Sequence, residues 1–157
     1  MSYGFNAKEI FMMAEQIERN GAEFYREAAQ NVSGSEAKEL LLGLAGMEDE
    51  HEKTFQIMRA QLSEKEKEAT VFDPAGEAAQ YLKALADTRV FFEKTIELSS
   101  MKEILKAAIV AEKDSIVFYL GMKDAVSENR GKQKIAAIIK EEMHQIRILS
   151  KELVAFK

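Results

Sequence analysis

The stretch Glu48-Asp49-Glu50-His51 decides the fold, because the chain carries its pattern again as Glu141-Glu142-Met143-His144. These two Glu-x-x-His motifs contain both histidines of the 157-residue chain. A glutamate and a histidine three positions apart share one face of an α-helix. One copy of so short a motif is weak support for a metal site, so the surrounding sequence has to decide.

The sequence upstream of each motif contains a second repeated feature. Glu18 is followed seven residues later by Tyr25, and Glu112 is followed seven residues later by Tyr119. In both places a phenylalanine precedes the tyrosine. The chain therefore carries one unit twice: a glutamate, a Phe-Tyr pair, a turn and a Glu-x-x-His motif. Such internal repeats indicate a repeated architecture.

Length and composition indicate one globular domain, residues 1–157, with 46% hydrophobic and 31% charged residues. The net charge of -5 argues against a nucleic-acid partner, since phosphate binding needs a basic surface. The absence of cysteine excludes disulfides and thiolate metal ligands. We find no signal-peptide pattern and no apolar run long enough to span a membrane. The sequence therefore predicts a cytoplasmic protein with no membrane partner.

The spacing of hydrophobic residues predicts four long helices. Their predicted bounds are Ala7–Asn31, Ser35–Gln61, Met101–Val126 and Arg130–Val154. Asn6 with Glu9, and Ser100 with Glu103, form capping-box patterns that start the first and third helices.

A long connection separates the second and third predicted helices. Within it, Asp73 and Pro74 predict the start of a short helix that ends near Ala86. A tight antiparallel hairpin needs only a few connecting residues. The connection therefore predicts a crossover that returns along the bundle. The predicted fold class is all-α: a four-helix bundle with one long crossover between the second and third helices.

The repeated polar residues interrupt the predicted buried faces near the middle of each helix. They are Glu18 on the first helix, Glu48 and His51 on the second, Glu112 on the third, and Glu141 and His144 on the fourth. The residues predicted to face inward on the fourth helix are Ala137, Ile138, Glu141, His144, Ile148 and Leu149. The neighbouring Glu142 is predicted to lie on the solvated face. In an aligned bundle, the polar residues of all four helices would meet at one level.

Four carboxylates at one level of a core require compensation, because an unpaired buried charge costs several kcal/mol. Either the carboxyls are protonated at raised pKa values, or cations lie among them. No lysine or arginine falls on the predicted stripes near their middle. Two divalent ions would neutralise four carboxylates and leave two imidazoles as nitrogen ligands. Mixed oxygen and nitrogen ligands suit iron or manganese.

Together these motifs resemble the rubrerythrin-like members of the ferritin-like superfamily, over nearly the whole chain. The residues that carry the resemblance are Glu18, Tyr25, Glu48, His51, Glu112, Tyr119, Glu141 and His144. The resemblance implies a ferritin-like bundle that holds two iron ions. It implies that Glu48 and Glu141 bridge the metals, that Glu18 and Glu112 are terminal ligands, and that each histidine gives one metal a nitrogen. The two tyrosines would donate hydrogen bonds to ligand carboxylates.

The sequence departs from rubrerythrins in two ways. It has no cysteine for the small four-cysteine iron domain that delivers electrons, and Ser115 stands where rubrerythrins have an extra carboxylate. The resemblance therefore implies an oxidoreductase that reduces peroxide or dioxygen, under oxidative stress, with electrons from an external donor protein. A homodimer is expected, since the crossover could exchange between subunits.

Two other functions agree with the same residues. Oxidation and storage of iron, as in ferritins, would require a hollow shell of many subunits. A non-catalytic bundle that binds a partner would hold a stabilising ion such as zinc without redox cycling.

Overall fold

The computed structural model describes residues 7–62, 100–126 and 129–156. These residues form four α-helices: α1 (Ala7–Asn31), α2 (Ser35–Ala60), α3 (Met101–Ala125) and α4 (Asn129–Val154). The four predicted long helices are confirmed, and each end lies within one residue of its predicted position. The Asn6 cap and the short crossover helix predicted from Pro74 to Ala86 lie outside the described residues.

The helices form two hairpins, in which α1 packs along α2 and α3 packs along α4. The hairpins meet through contacts of α1 with α3 and of α2 with α4. Gly34, in the turn between α1 and α2, has a φ of +98°, a backbone conformation that favours glycine. None of the described helices contains a segment long and apolar enough to cross a membrane.

The predicted cap of α3 is present at Ser100. Its backbone is extended, and its hydroxyl accepts a hydrogen bond from the backbone N–H of Glu103 at 3.4 Å. A side-chain cap satisfies one of the N–H groups that have no partner at the start of a helix.

We expect Ser100→Ala to lower the free energy of unfolding by about 1 kcal/mol, because it removes that cap. Ser100→Asp, which restores a capping oxygen, is the matched control and should be close to the parent. Urea denaturation of the metal-free protein measures both. Equal stability of the alanine variant and the parent would show that the cap contributes nothing.

The core consists of two apolar clusters with a polar layer between them. The first cluster includes Phe11, Phe55, Phe118, Met122 and Ile135. The second includes Phe24, Leu41, Leu44, Leu105 and Leu149.

Along each helix the chain leaves one cluster, passes buried polar residues, and enters the other. The buried polar residues between the clusters are Glu18 on α1, Glu48 and His51 on α2, Glu112 and Ser115 on α3, and Glu142 and Gln145 on α4. The apolar clusters therefore close the polar layer on two sides, as expected of a site at mid-height in a bundle.

Arginines on the α1–α2 hairpin pair with acidic residues outside the polar layer. The Arg59 guanidinium donates to the buried carboxylate of Glu15 at 2.7 Å, and Arg19 pairs with Glu52 at 2.6 Å. No lysine or arginine among the described residues forms an ion pair with Glu18, Glu48, Glu112 or Glu142. These arginines thus link α1 to α2 outside the polar layer and do not neutralise the inner carboxylates.

Candidate metal centre

Four of the six predicted ligand residues lie together in the polar layer. Glu18 and Glu112 are 0% exposed, and Glu48 and His51 are 2% exposed. They come from three different helices, and Glu48 lies next to both Glu18 and Glu112. Of the four glutamates predicted to meet at one level in the core, Glu18, Glu48 and Glu112 do so.

The other two predicted ligands lie on α4, and the structure turns them away from the core. The Glu141 side chain is 57% exposed and His144 is exposed, whereas Glu142 and Gln145 are 0% exposed. The predictions that Glu141 and His144 face inward and that Glu142 is solvated are wrong. Ala137, predicted to be inward, is also exposed. Metal ligation by Glu141 and His144 remains a prediction, which substitutions at these two positions would test.

Apolar burial explains the rotation of α4. Ile135, Ile138 and Leu149 are buried, and their spacing of three and four residues continues through Glu142 and Gln145. A rotation that turned Glu141 and His144 inward would replace Ile135 and Ile139 in the core by the small Ala137 and the half-buried Ile148. Burial of larger aliphatic side chains is more favourable. The isoleucines therefore outweigh the motif in setting which face of α4 is buried.

The side chains that meet in the polar layer form a compact donor set. Glu18, Glu48, His51 and Glu142 each offer one ligand atom, and these atoms all lie within 4.8 Å of one another. His51 Nδ1 lies 3.1 Å from Glu142 Oε1 and 3.5 Å from Glu18 Oε2. The other ring nitrogen, Nε2, contacts the exposed Glu141 carboxylate. One side of the imidazole thus meets the buried carboxylates and its other end meets a carboxylate at the surface.

The two repeated tyrosines connect the hairpins. Tyr25 on α1 donates a hydrogen bond to Glu112 on α3 at 2.8 Å, and Tyr119 on α3 donates to Glu18 on α1 at 2.6 Å. The predicted hydrogen bonds from the tyrosines to buried glutamates are confirmed, and each crosses to the other hairpin. Burial and the nearby carboxylates raise the pKa of both phenols well above the usual value, so the tyrosines stay neutral donors.

We expect Tyr25→Phe and Tyr119→Phe each to weaken metal binding by about 10–100-fold, because each removes a group that orients a ligand carboxylate. The free energy of unfolding of the metal-free protein should also fall, by about 1–3 kcal/mol per variant. Anaerobic titration with Mn²⁺ and urea denaturation measure the two effects. Unchanged affinity in both variants would show that the tyrosines only pack.

Burial changes the acid–base properties of the polar layer. Burial raises the pKa of the Glu112 carboxyl to about 8, despite the opposing effect of Glu48, and burial raises that of Glu48 well above its usual value. Burial alone would lower the pKa of His51, but its contacts with Glu18 and Glu141 raise it to about 9. Glu112, Glu48 and His51 therefore favour their protonated forms when no metal ion neutralises the carboxylates.

The carboxylates also have oxygens that no group in the described residues satisfies. Glu18 Oε2, Glu48 Oε1, Glu112 Oε2 and Glu142 Oε2 are buried without a hydrogen-bond partner, and so are both polar atoms of Gln145. Buried polar groups without a partner are rare in folded proteins, and a bound ion can satisfy them. Carboxylate oxygens with one imidazole suit divalent iron, manganese or zinc. The donor set therefore fits metal ions by both its chemistry and its unsatisfied atoms.

Ser115, one turn after Glu112, adds nothing to the donor set. Its buried hydroxyl donates to the backbone carbonyl of Ala111 at 3.0 Å. The side chain is thus satisfied within its own helix.

Comparison with known proteins supports the fold. No protein-family model matches the sequence, and no curated protein matches it. The structure is similar to the crystal structure of a Thermotoga maritima protein described as a ferritin-like diiron-carboxylate protein. The TM-score is 0.71 at 24% sequence identity, and the match covers 100% of each chain. The four helices therefore form a ferritin-like bundle, as predicted.

Proposed function

We propose that this protein is a carboxylate-bridged di-iron oxidoreductase that reduces peroxide or dioxygen with electrons from an external donor protein. The observation that carries the proposal is the polar layer, in which four buried carboxylates, those of Glu18, Glu48, Glu112 and Glu142, each have an oxygen without a hydrogen-bond partner. No lysine or arginine among the described residues pairs with them. The Thermotoga maritima protein of similar fold, described as a diiron-carboxylate protein, supports the choice of metal. The paired Glu-Tyr units support a rubrerythrin-like site in particular.

The charges of the carboxylates in the polar layer support two metal ions. Glu18, Glu48, Glu112 and Glu142 are buried together, and two divalent ions would neutralise four carboxylates. Glu48 lies next to both Glu18 and Glu112, which suits a carboxylate shared by two metals. His51 offers one nitrogen. Two bound ions would also remove the free-energy penalty of leaving these charges unpaired in the core.

Residues around the donor set would control the reaction. Bound as ferrous ions, two irons would supply two electrons to a small oxidant and polarise it. The tyrosine hydroxyls hold Glu18 and Glu112 in fixed orientations. The aromatic rings of Phe55 and Tyr119, with centroids 5.1 Å apart, belong to the apolar cluster that borders the layer. The Glu112 carboxyl, with its pKa of about 8, can release a proton when metal ions bind and take one up when they leave.

The test is anaerobic loading with Fe²⁺ followed by addition of hydrogen peroxide. We expect fast consumption of one peroxide for each pair of irons, with ferric absorbance appearing in step, and repeated turnover when a chemical reductant is supplied. Glu50→Gln is the matched control for Glu48→Gln, because Glu50 is exposed on the same helix. Peroxide loss no faster than with free iron, in the parent as in Glu48→Gln, would rule out this function.

A further inference from the structure

Glu141 occupies an unusual place, since it is an exposed side chain that contacts the buried donor set. Its carboxylate contacts Nε2 of His51, whose side chain is only 3% exposed. Both belong to Glu-x-x-His motifs, one on α4 and the other on α2. The contact therefore links the two repeats through a side chain that the sequence assigned to metal binding itself.

The orientation of the His51 ring determines which nitrogen can bind a metal. Nδ1 faces the buried carboxylates of Glu142 and Glu18, at 3.1 and 3.5 Å. Nε2 points the other way, toward Glu141. A neutral imidazole has one N–H and one lone pair, so a carboxylate that accepts from Nε2–H leaves the lone pair on Nδ1. Metal-bound histidines commonly donate their second N–H to such a carboxylate.

We infer that Glu141 is a positioning residue, which accepts a hydrogen bond from His51 Nε2 and directs Nδ1 toward the metal, and is not itself a metal ligand. This inference rests on the proposed metal site. It assigns the ligand carboxylate of α4 to the buried Glu142. The exposed His144, one turn from Glu141, then has no part in metal binding.

Two substitutions at Glu141 separate positioning from ligation. Glu141→Ala removes the acceptor, whereas Glu141→Gln keeps a neutral acceptor oxygen at the same reach. Because Glu141 is more than half exposed, neither should prevent folding. We expect Glu141→Ala to bind Zn²⁺ with unchanged stoichiometry and an affinity about 10–100-fold lower, and Glu141→Gln to recover part of the loss. Loss of one zinc per chain in Glu141→Ala would make Glu141 a ligand and overturn the inference.

Nitrogen NMR of the Zn²⁺-loaded protein provides a readout that does not depend on activity. The chain has only two histidines, so both rings can be assigned from His144→Gln. We expect His51 to be metal-bound through Nδ1 and protonated at Nε2, with faster exchange of that proton in Glu141→Ala. His144 should be metal-free, and His144→Gln should bind as much zinc as the parent. Coordination of His51 through Nε2, or of His144 by either nitrogen, would overturn the inference.

The same experiments distinguish failure of the inference from failure of the proposed function. If the parent protein binds no Zn²⁺ or Fe²⁺, the proposed site is absent and the inference falls with it. If the parent binds metal and Glu141→Ala binds it with equal affinity and an unchanged His51 spectrum, the inference alone is wrong.

Discussion

Replacing Glu48 by glutamine is expected to reduce the affinity for both metal ions by more than about 100-fold, the upper end of the loss seen when only a supporting group is removed. Glu48 lies next to Glu18 and Glu112, and it belongs to the set whose ligand atoms meet within 4.8 Å. Glutamine keeps the size of the side chain and one oxygen, but removes the charge that a bridging ligand supplies.

The metal-free Glu48→Gln protein should remain folded, because a neutral side chain in this layer has less desolvation cost than a carboxylate. Anaerobic Fe²⁺ titration measures the affinity, and urea denaturation measures the stability. Glu50→Gln removes an exposed carboxylate from the same helix and should bind two ions as the parent does. Equal affinity in Glu48→Gln and Glu50→Gln would contradict a bridging role for Glu48.

Metal-free protein is expected to lose stability as the pH rises from about 5 to about 9, the interval set by the unfolded carboxyl and folded imidazole pKa values. The folded-state pKa of Glu112 is raised from 4.5 to about 8, and that of His51 from 6.5 to about 9. Between these limits the folded state binds more protons than the unfolded state, so the free energy of unfolding falls with pH.

The contributions of the two groups can be separated by pH. The stabilising contribution of Glu112 is complete below pH 4.5 and is lost through about pH 8, whereas that of His51 is complete below pH 6.5 and is lost through about pH 9. Together the two pKa shifts correspond to a change on the order of several kcal/mol in the free energy of unfolding. Chemical denaturation at intervals of pH measures the slope, and Glu112→Gln should flatten its lower part.

Metal should reverse the sign of this dependence. Ligands bind metal in their deprotonated forms, so metal affinity rises with pH and the bound ions stabilise the folded state more strongly. Stability of the metal-free protein that rises from pH 5 to pH 9 would show that Glu112 and His51 do not hold protons in the folded state. Equal pH slopes with and without metal would contradict their role in binding.

The sequence predicted the bundle well because its signals were redundant. The helix bounds were predicted well because two kinds of signal agreed at the helix ends. Hydrophobic spacing gave the extent of each helix, the Ser100 cap marked the start of α3, and the turn around Gly34 separated α1 from α2. The level of Glu18, Glu48 and Glu112 followed from their positions near the middle of helices of similar length. The tyrosine bonds were also predicted, but not that each would reach the opposite hairpin, because sequence spacing does not show how hairpins face each other.

The rotation of α4 could not be predicted from the motif. Adjacent glutamates at 141 and 142 differ by one residue, which is about 100° around a helix. The Glu-x-x-His pattern favoured Glu141, whereas the spacing of Ile135, Ile138 and Leu149 favoured Glu142. Glu142 and Gln145 continue the spacing of these aliphatic residues, which is the sequence signal for their burial. A motif can recur in the sequence, but packing of neighbouring aliphatic residues decides which face is buried.

The most direct test of the central claim, that the buried carboxylates hold a pair of metal ions, is anaerobic Fe²⁺ titration with elemental analysis of the washed protein. We predict two tightly bound irons per chain in the parent and in Glu50→Gln, and loss of both in Glu48→Gln. An iron-free parent protein, or one that binds iron equally well without Glu48, would contradict the account.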